Sequence, residues 1–129
     1  MSTPDHNSLL LNLSKMISIP SINPFGVFDP KKPAEAAMAH FFKKCLSDLG
    51  LETFDHVVSN GRKNVWGILR GKNSGPTILL AGHLDTVGVA GYKNPFIPKV
   101  EGDKIYGRGA CDMKGVGLNI RNSFYCKLY

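Results

Sequence analysis

The six residues Thr77-Ile78-Leu79-Leu80-Ala81-Gly82 constrain this chain most. A short, almost wholly apolar run of this kind fits a strand buried on both faces, as in a sheet covered by helices. Residues 78–81 are its purely apolar stretch, far below the ~20 residues that cross a bilayer. The residues just past the run matter, because open α/β sheets bind ligands beyond the carboxyl ends of their strands. There the sequence reads Gly82-His83-Leu84-Asp85-Thr86-Val87.

The residues before the run alternate helix and strand. Leu9, Leu10, Leu13, Met16 and Ile17 recur at helical spacing, which predicts a helix over residues 7–18 with Asn7 or Ser8 as its N-cap. Pro20 and Pro24 end it. A second helix is expected over residues 33–49, with Pro33 at the first helical position. Its apolar face is Met38, Phe41, Phe42, Cys45, Leu46 and Leu49, and Gly50 supplies the stop. Residues 51–58 read as a strand, Asn60-Gly61 as a turn and residues 64–69 as the hairpin partner. A shorter strand, residues 104–106, comes after the turn at Glu101-Gly102-Asp103. The order predicts an α/β fold with a mixed sheet flanked by helices.

Composition narrows the class. The 129 residues carry 16 bases and 10 acids, a formal charge of +6. The bases fall in doublets (Lys31-Lys32, Lys43-Lys44, Arg62-Lys63) rather than in a stripe, so they read as solvated surface and not as a nucleic-acid face. Apolar residues at 43% argue against a disordered chain. The start, Met1-Ser2-Thr3-Pro4-Asp5-His6, has no basic n-region and no long apolar core, so no secretory signal is expected. Cys45, Cys111 and Cys126 are odd in number and form no Cys-X-X-Cys pair. They read as reduced thiols of a cytoplasmic protein.

Two motifs carry chemistry. In the first, extended backbone would put His83 and Asp85 on one side, since side chains alternate with period two. A neutral imidazole can bind a metal through one nitrogen while a carboxylate accepts the other ring N–H and fixes the tautomer. The same His-X-Asp also suits an ordinary polar loop or part of a Ser-type triad, although no Gly-X-Ser-X-Gly elbow exists here. The second motif is Tyr106-Gly107-Arg108-Gly109-Ala110-Cys111-Asp112-Met113-Lys114-Gly115. Its glycines allow unusual backbone around a single acid, Asp112. A phosphate loop would need a further glycine where Asp112 stands. Cys111 reads as a small packing residue. Arg108 and Lys114 suit either a substrate carboxylate or the bracing of the loop. His6, His40 and His56 read as ordinary residues.

Taken together, the apolar run, His-Leu-Asp-Thr-Val, a loop with Pro95, Phe96 and Pro98, and Ile-Tyr-Gly-Arg-Gly-Ala-Cys-Asp-Met-Lys-Gly form a specific order. It resembles the zinc aminoacylase and deacylase metallopeptidase family, which includes acetylornithine deacetylase, succinyl-diaminopimelate desuccinylase, aminoacylase and glutamate carboxypeptidase. The resemblance covers residues 8–115. It implies that His83 is a ligand of one metal and that Asp112 bridges two zinc ions, with cobalt or manganese as substitutes. It implies that Asp85 is a catalytic residue that clamps the His83 ring without binding metal, and that the Asp112–Met113 peptide bond is cis. The implied reaction is hydrolysis of an amide bond in an N-acyl amino acid or small peptide. The intact enzyme is expected to be a homodimer with no nucleic-acid or membrane partner.

The resemblance also marks a departure. The family's general-base glutamate, its further acidic ligands and a distal histidine come later than any residue here. Residues 1–115 are therefore expected to be the N-terminal part of the catalytic domain, inactive alone, and residues 116–129 an atypical tail without alanine. A truncation, a frameshift near Val116 or a natural short form accounts for such a tail. The alternative function is a non-catalytic fragment acting as a binding or regulatory module.

Overall fold

A computed structural model describes residues 6–24, 35–59 and 62–118. The expected start of the second helix at Pro33, the Asn60-Gly61 turn and most of the atypical tail lie outside the described residues.

Helix α1 spans His6–Ser18 and buries Met16 and Ile17. Helix α2 spans Ala36–Asp48 and buries Met38, Ala39, Cys45 and Leu46. Its C-terminal stop depends on Gly50. With φ at 77°, Gly50 takes the left-handed conformation that costs other residues a steric clash. Its N–H donates to the Ser47 carbonyl and the Leu51 N–H donates to the Leu46 carbonyl. This is the Schellman arrangement, completed by contact between the buried Leu46 and Leu51.

Strand β1, Glu52–Ser59, pairs antiparallel with β2, Arg62–Ile68. The hairpin lays one face on α2, where Leu46, Leu49 and Leu51 form a core with Phe42, Val65 and Leu69 against it. Phe54 and Trp66 face each other across the strands with ring centroids 5.7 Å apart. Asp55 pins the two layers together by accepting from Lys43 of α2 and from Lys63 of β2, the latter at 2.9 Å. Those two ammonium groups hold the Asp55 carboxyl at about 2, well below its ordinary value. The second core joins Met16, Met38 and Leu118, with Leu13, Phe42 and Leu84 packed on it. It fastens the end of the glycine loop onto α1 and α2.

A second hairpin pairs β3, Lys99–Glu101, with β4, Lys104–Tyr106. The α/β reading holds, and strand pairing among the described residues comprises these two antiparallel hairpins and one parallel bridge between Ile22 and Thr86. The apolar run corrects an expectation. Residues 77–82 form no strand, and Ile78 and Leu79 are 71% and 85% exposed. Both β1 and β3 pair only within their own hairpins, so no described strand offers this run a hydrogen-bonding partner. An unpaired apolar segment of this kind is an association surface. Among the described residues, no helix is long and apolar enough to cross a membrane.

Two outcomes test this fold. Replacing Leu79 with Lys should raise the concentration at which the protein self-associates, as read by light scattering; an unchanged threshold would mean that the run is covered in solution. Because the folded Asp55 pKa lies below its unfolded value, its contribution to stability is full above about pH 4 and is lost as pH falls toward about 2. Carboxyl NMR should find Asp55 titrating near 2, and an ordinary value would contradict the two-lysine clamp.

Candidate metal centre

His83 and Asp85 reach their places through backbone pairing with the loop after α1. The Thr86 N–H donates to the Ser21 carbonyl, and the Asn23 N–H donates to the Thr86 carbonyl, each at 2.8 Å. Ser21 and Thr86 are buried at this joint. The His83 N–H donates to the Met113 sulfur at 3.2 Å, which brings the first motif beside the second.

The second motif forms a kinked helical turn over Ala110–Gly115. Asp112 and Met113 depart from helical backbone within it, and the peptide bond between them is cis, in agreement with the expectation. Gly109 opens the turn with φ at 84°. A Cβ on it would come 2.8 Å from Thr86 Cγ2 and 2.9 Å from Lys114 Cδ. Lys114 runs inward beneath the loop. Its Nζ donates to the Ile19 carbonyl at 2.8 Å and stands 5.6 Å from the Phe96 ring centroid. Burial lowers its pKa to about 8. The Arg108 backbone N–H donates to the Pro95 carbonyl, and its guanidinium lies over Tyr92. Bracing the loop is therefore what Lys114 and Arg108 do here. Cys111, expected to pack, is exposed instead.

These restraints bring all three expected site residues together. Around His83 Nδ1 stand two acceptors of Asp85, the carboxylate Oδ1 at 3.0 Å and the backbone carbonyl at 3.1 Å. Two acceptors there require Nδ1 to carry the proton. His83 Nε2 then turns its lone pair to Asp112 Oδ1 at 3.1 Å. A lone pair and a carboxylate oxygen at that separation repel each other unless a cation, either a proton or a metal, lies between them. The electrostatics agree in sign. Burial, the largest influence on His83, opposes the charged imidazolium. The Asp85 carbonyl, the Asp85 carboxylate and Asp112 outweigh it and raise the pKa.

Asp112 is 80% exposed at its side chain, whereas Asp85 is 24% exposed. The outer carboxylate faces solution and the inner one is built in. A cleft of about 410 Å³ opens beside them, lined by Met38, Phe42, Trp66 and Leu80 as well as His83 and Asp85. Among the described residues, no group of three or more His, Cys, Asp or Glu side chains is arranged to hold a metal ion by itself. The donor chemistry present thus fits part of a divalent-metal shell. His40 and His56 are exposed on α2 and β1, apart from the site.

One residue of this network is not legible in the sequence. Asn23 Nδ2 donates to Asp85 Oδ2 at 2.6 Å across 62 residues of chain. An asparagine between Ile22 and Pro24 reads as a turn residue, and only the position of its loop against Thr86 reveals the contact.

The fold and the cluster define an α/β chain in which an imidazole and a carboxylate face each other at 3.1 Å, with a second carboxylate behind the ring. Residues 79–120 match Peptidase family M20/M25/M40. It is 37% identical over 89 residues to a succinyl-diaminopimelate desuccinylase of Leptothrix cholodnii, covering 64% of this chain and 23% of the relative. It is 41% identical over 90 residues to a putative LysW-lysine/LysW-ornithine hydrolase of Pyrococcus abyssi, covering 69% and 23%. A succinyl-diaminopimelate desuccinylase of Variovorax paradoxus is 34% identical over 109 residues, covering 78% and 26%. The chain spans about a quarter of the length of these relatives.

Gly109→Ala tests the loop that delivers Asp112. Overpacking should cost about 1–3 kcal/mol and the left-handed φ a further ~1–2 kcal/mol. Chemical denaturation should show a lower midpoint, and an unchanged midpoint would mean that the loop is free to move away from Thr86.

Proposed function

We propose that this chain supplies His83 and Asp112 as ligands to the metal centre of a hydrolase that cleaves amide bonds in N-acyl amino acids or small peptides. The observation that carries the reading is the 3.1 Å approach of His83 Nε2 to Asp112 Oδ1 with Asp85 behind the ring. The substrate class rests on relatives whose names specify desuccinylase and lysine or ornithine hydrolase activities. Zinc suits an imidazole and carboxylate donor set, and cobalt or manganese accepts the same atoms. A cation bound there supplies Lewis acidity and a water of lowered pKa.

The chain's own residues perform the supporting work. Asp85 keeps the proton on Nδ1, so Nε2 stays a donor to metal, and its negative charge raises the basicity of the ring. Asp112 has two oxygens, which gives it the means to bridge two ions. Met113, cis to Asp112, accepts the His83 N–H and holds the two motifs in contact. Residues 1–115 act as the first part of the catalytic domain in this reading. The exposed Cys111, a free thiol, suits a cytoplasmic setting.

These 129 residues alone are proposed to be inactive. Two dications need more donors than one imidazole and one bridging carboxylate provide. Among the described residues, no group of three or more His, Cys, Asp or Glu side chains stands together to hold a metal.

Metal analysis and an N-succinyl and N-acetyl amino acid hydrolysis assay test the reading. The purified chain should retain less than one zinc per molecule after desalting and show no turnover above background. His83→Ala should abolish the residual affinity, whereas Asp85→Ala should weaken it by roughly 10–100-fold. Two tightly bound zinc ions with turnover would contradict the inactivity. Affinity indifferent to His83→Ala would overturn the assignment of the ligand.

A further inference from the structure

We propose that Asn23 is a positioning residue of the metal centre, acting through Asp85 to set the tautomer and aim of His83. The proposal rests on the reading of His83 as a ligand and extends it to a residue that none of the motifs contains.

Asp85 has two carboxylate oxygens with separate tasks. Oδ1 stands 3.0 Å from His83 Nδ1, its charge beside the hydrogen bond that Nδ1–H donates to the Asp85 carbonyl at 3.1 Å, and Oδ2 takes the Asn23 Nδ2–H at 2.6 Å. A carboxylate held by one partner can rotate about its last torsion, whereas two partners on opposite oxygens fix its plane. The amide nitrogen of asparagine only donates, so it occupies Oδ2 and leaves Oδ1 turned to the ring. The effect passes to Nε2 because the Nδ1 proton and the Nε2 lone pair belong to one tautomer.

The placement of Asn23 is over-determined. Its backbone N–H donates to the Thr86 carbonyl, and the Thr86 N–H donates to the Ser21 carbonyl, both at 2.8 Å. These bonds seat the Asn23 side chain next to Asp85, the residue before Thr86. They do not involve the side chain, so a substitution at position 23 leaves the backbone joint able to form. The loop thus separates two functions: its backbone holds the His83 segment in place and one amide group orients the carboxylate.

Heteronuclear NMR of the His83 ring, at a pH well above the imidazole range, tests this together with zinc titration. In the wild-type chain His83 should populate the Nδ1-protonated tautomer. Asn23→Ala should shift the population several-fold toward the Nε2-protonated form and weaken zinc binding by about tenfold, the lower end for an outer partner of a ligand. Asn23→Asp should do more, since it sets one carboxylate against another. The double variant Asn23→Asp with Asp85→Asn restores a donor and acceptor pair and should recover the wild-type tautomer, which a merely structural role would not predict. An unchanged tautomer in both single variants overturns the proposal, even where His83→Ala confirms His83 as a ligand. If the wild-type chain binds no zinc, the tautomer shift still decides for or against Asn23, and the failure falls on the ligand reading alone. Where a substitution costs the fold, the wild-type spectrum decides: an Asn23 side-chain amide proton shifted downfield supports the bond, and one at its random-coil position overturns the proposal.

Discussion

The short parallel contact between the loop after α1 and the segment around Thr86 holds the rest of the site in place. Two backbone hydrogen bonds of 2.8 Å, between Thr86 and its partners Ser21 and Asn23, join parts of the chain that are far apart in sequence. They hold the His83 segment, which has no other strand pairing among the described residues. Buried backbone groups need partners, and at Thr86 this requirement becomes a positional restraint. His83 and Asp85 leave that joint at fixed places, and a Cβ on Gly109 would run into the Thr86 side chain.

The second restraint is the buried lysine under the glycine loop. Lys114 is drawn away from water by its bond to the Ile19 carbonyl and by the face of Phe96. A buried ammonium group is costly unless it is satisfied, so its partners specify where the loop must sit. Ile19 directly precedes the loop that pairs with Thr86, which means that both motifs are referred to the same end of α1. Leu118, in one core with Met16 and Met38, secures the far end of the glycine loop. Asp112 is thereby delivered to His83 by packing on a helix, although its own side chain stays open to solvent.

Much of this is legible in the residues, and the exceptions have physical reasons. The helices follow from apolar spacing, and the end of α2 follows from Gly50, because a left-handed stop has few substitutes. The first hairpin lies near its expected bounds; its ladder extends through Ser59 and Arg62 with a bulge after Val57. Strand β3 escapes the pattern because its three residues include one apolar side chain, Val100. Residues 77–82 read as a buried strand because their side chains are apolar. Apolarity states what a segment would bury, and a neighbouring strand must exist to bury it. The pairing of His83 with Asp85 follows from alternation along the chain. The approach of Asp112, and the cis bond after it, are expected only through the family resemblance. Asn23 stays hidden because its role depends on a contact 62 residues away.

Everything turns on whether the facing His83 nitrogen and Asp112 oxygen hold a cation between them. X-ray absorption at the zinc edge, on the chain mixed with a sub-stoichiometric amount of zinc, reports the donor atoms directly. The expected spectrum has a first shell of nitrogen and oxygen with outer-shell scattering from one imidazole, lost in His83→Ala. A sulfur donor from Cys111, or an imidazole signal that survives removal of His83, would contradict the assignment.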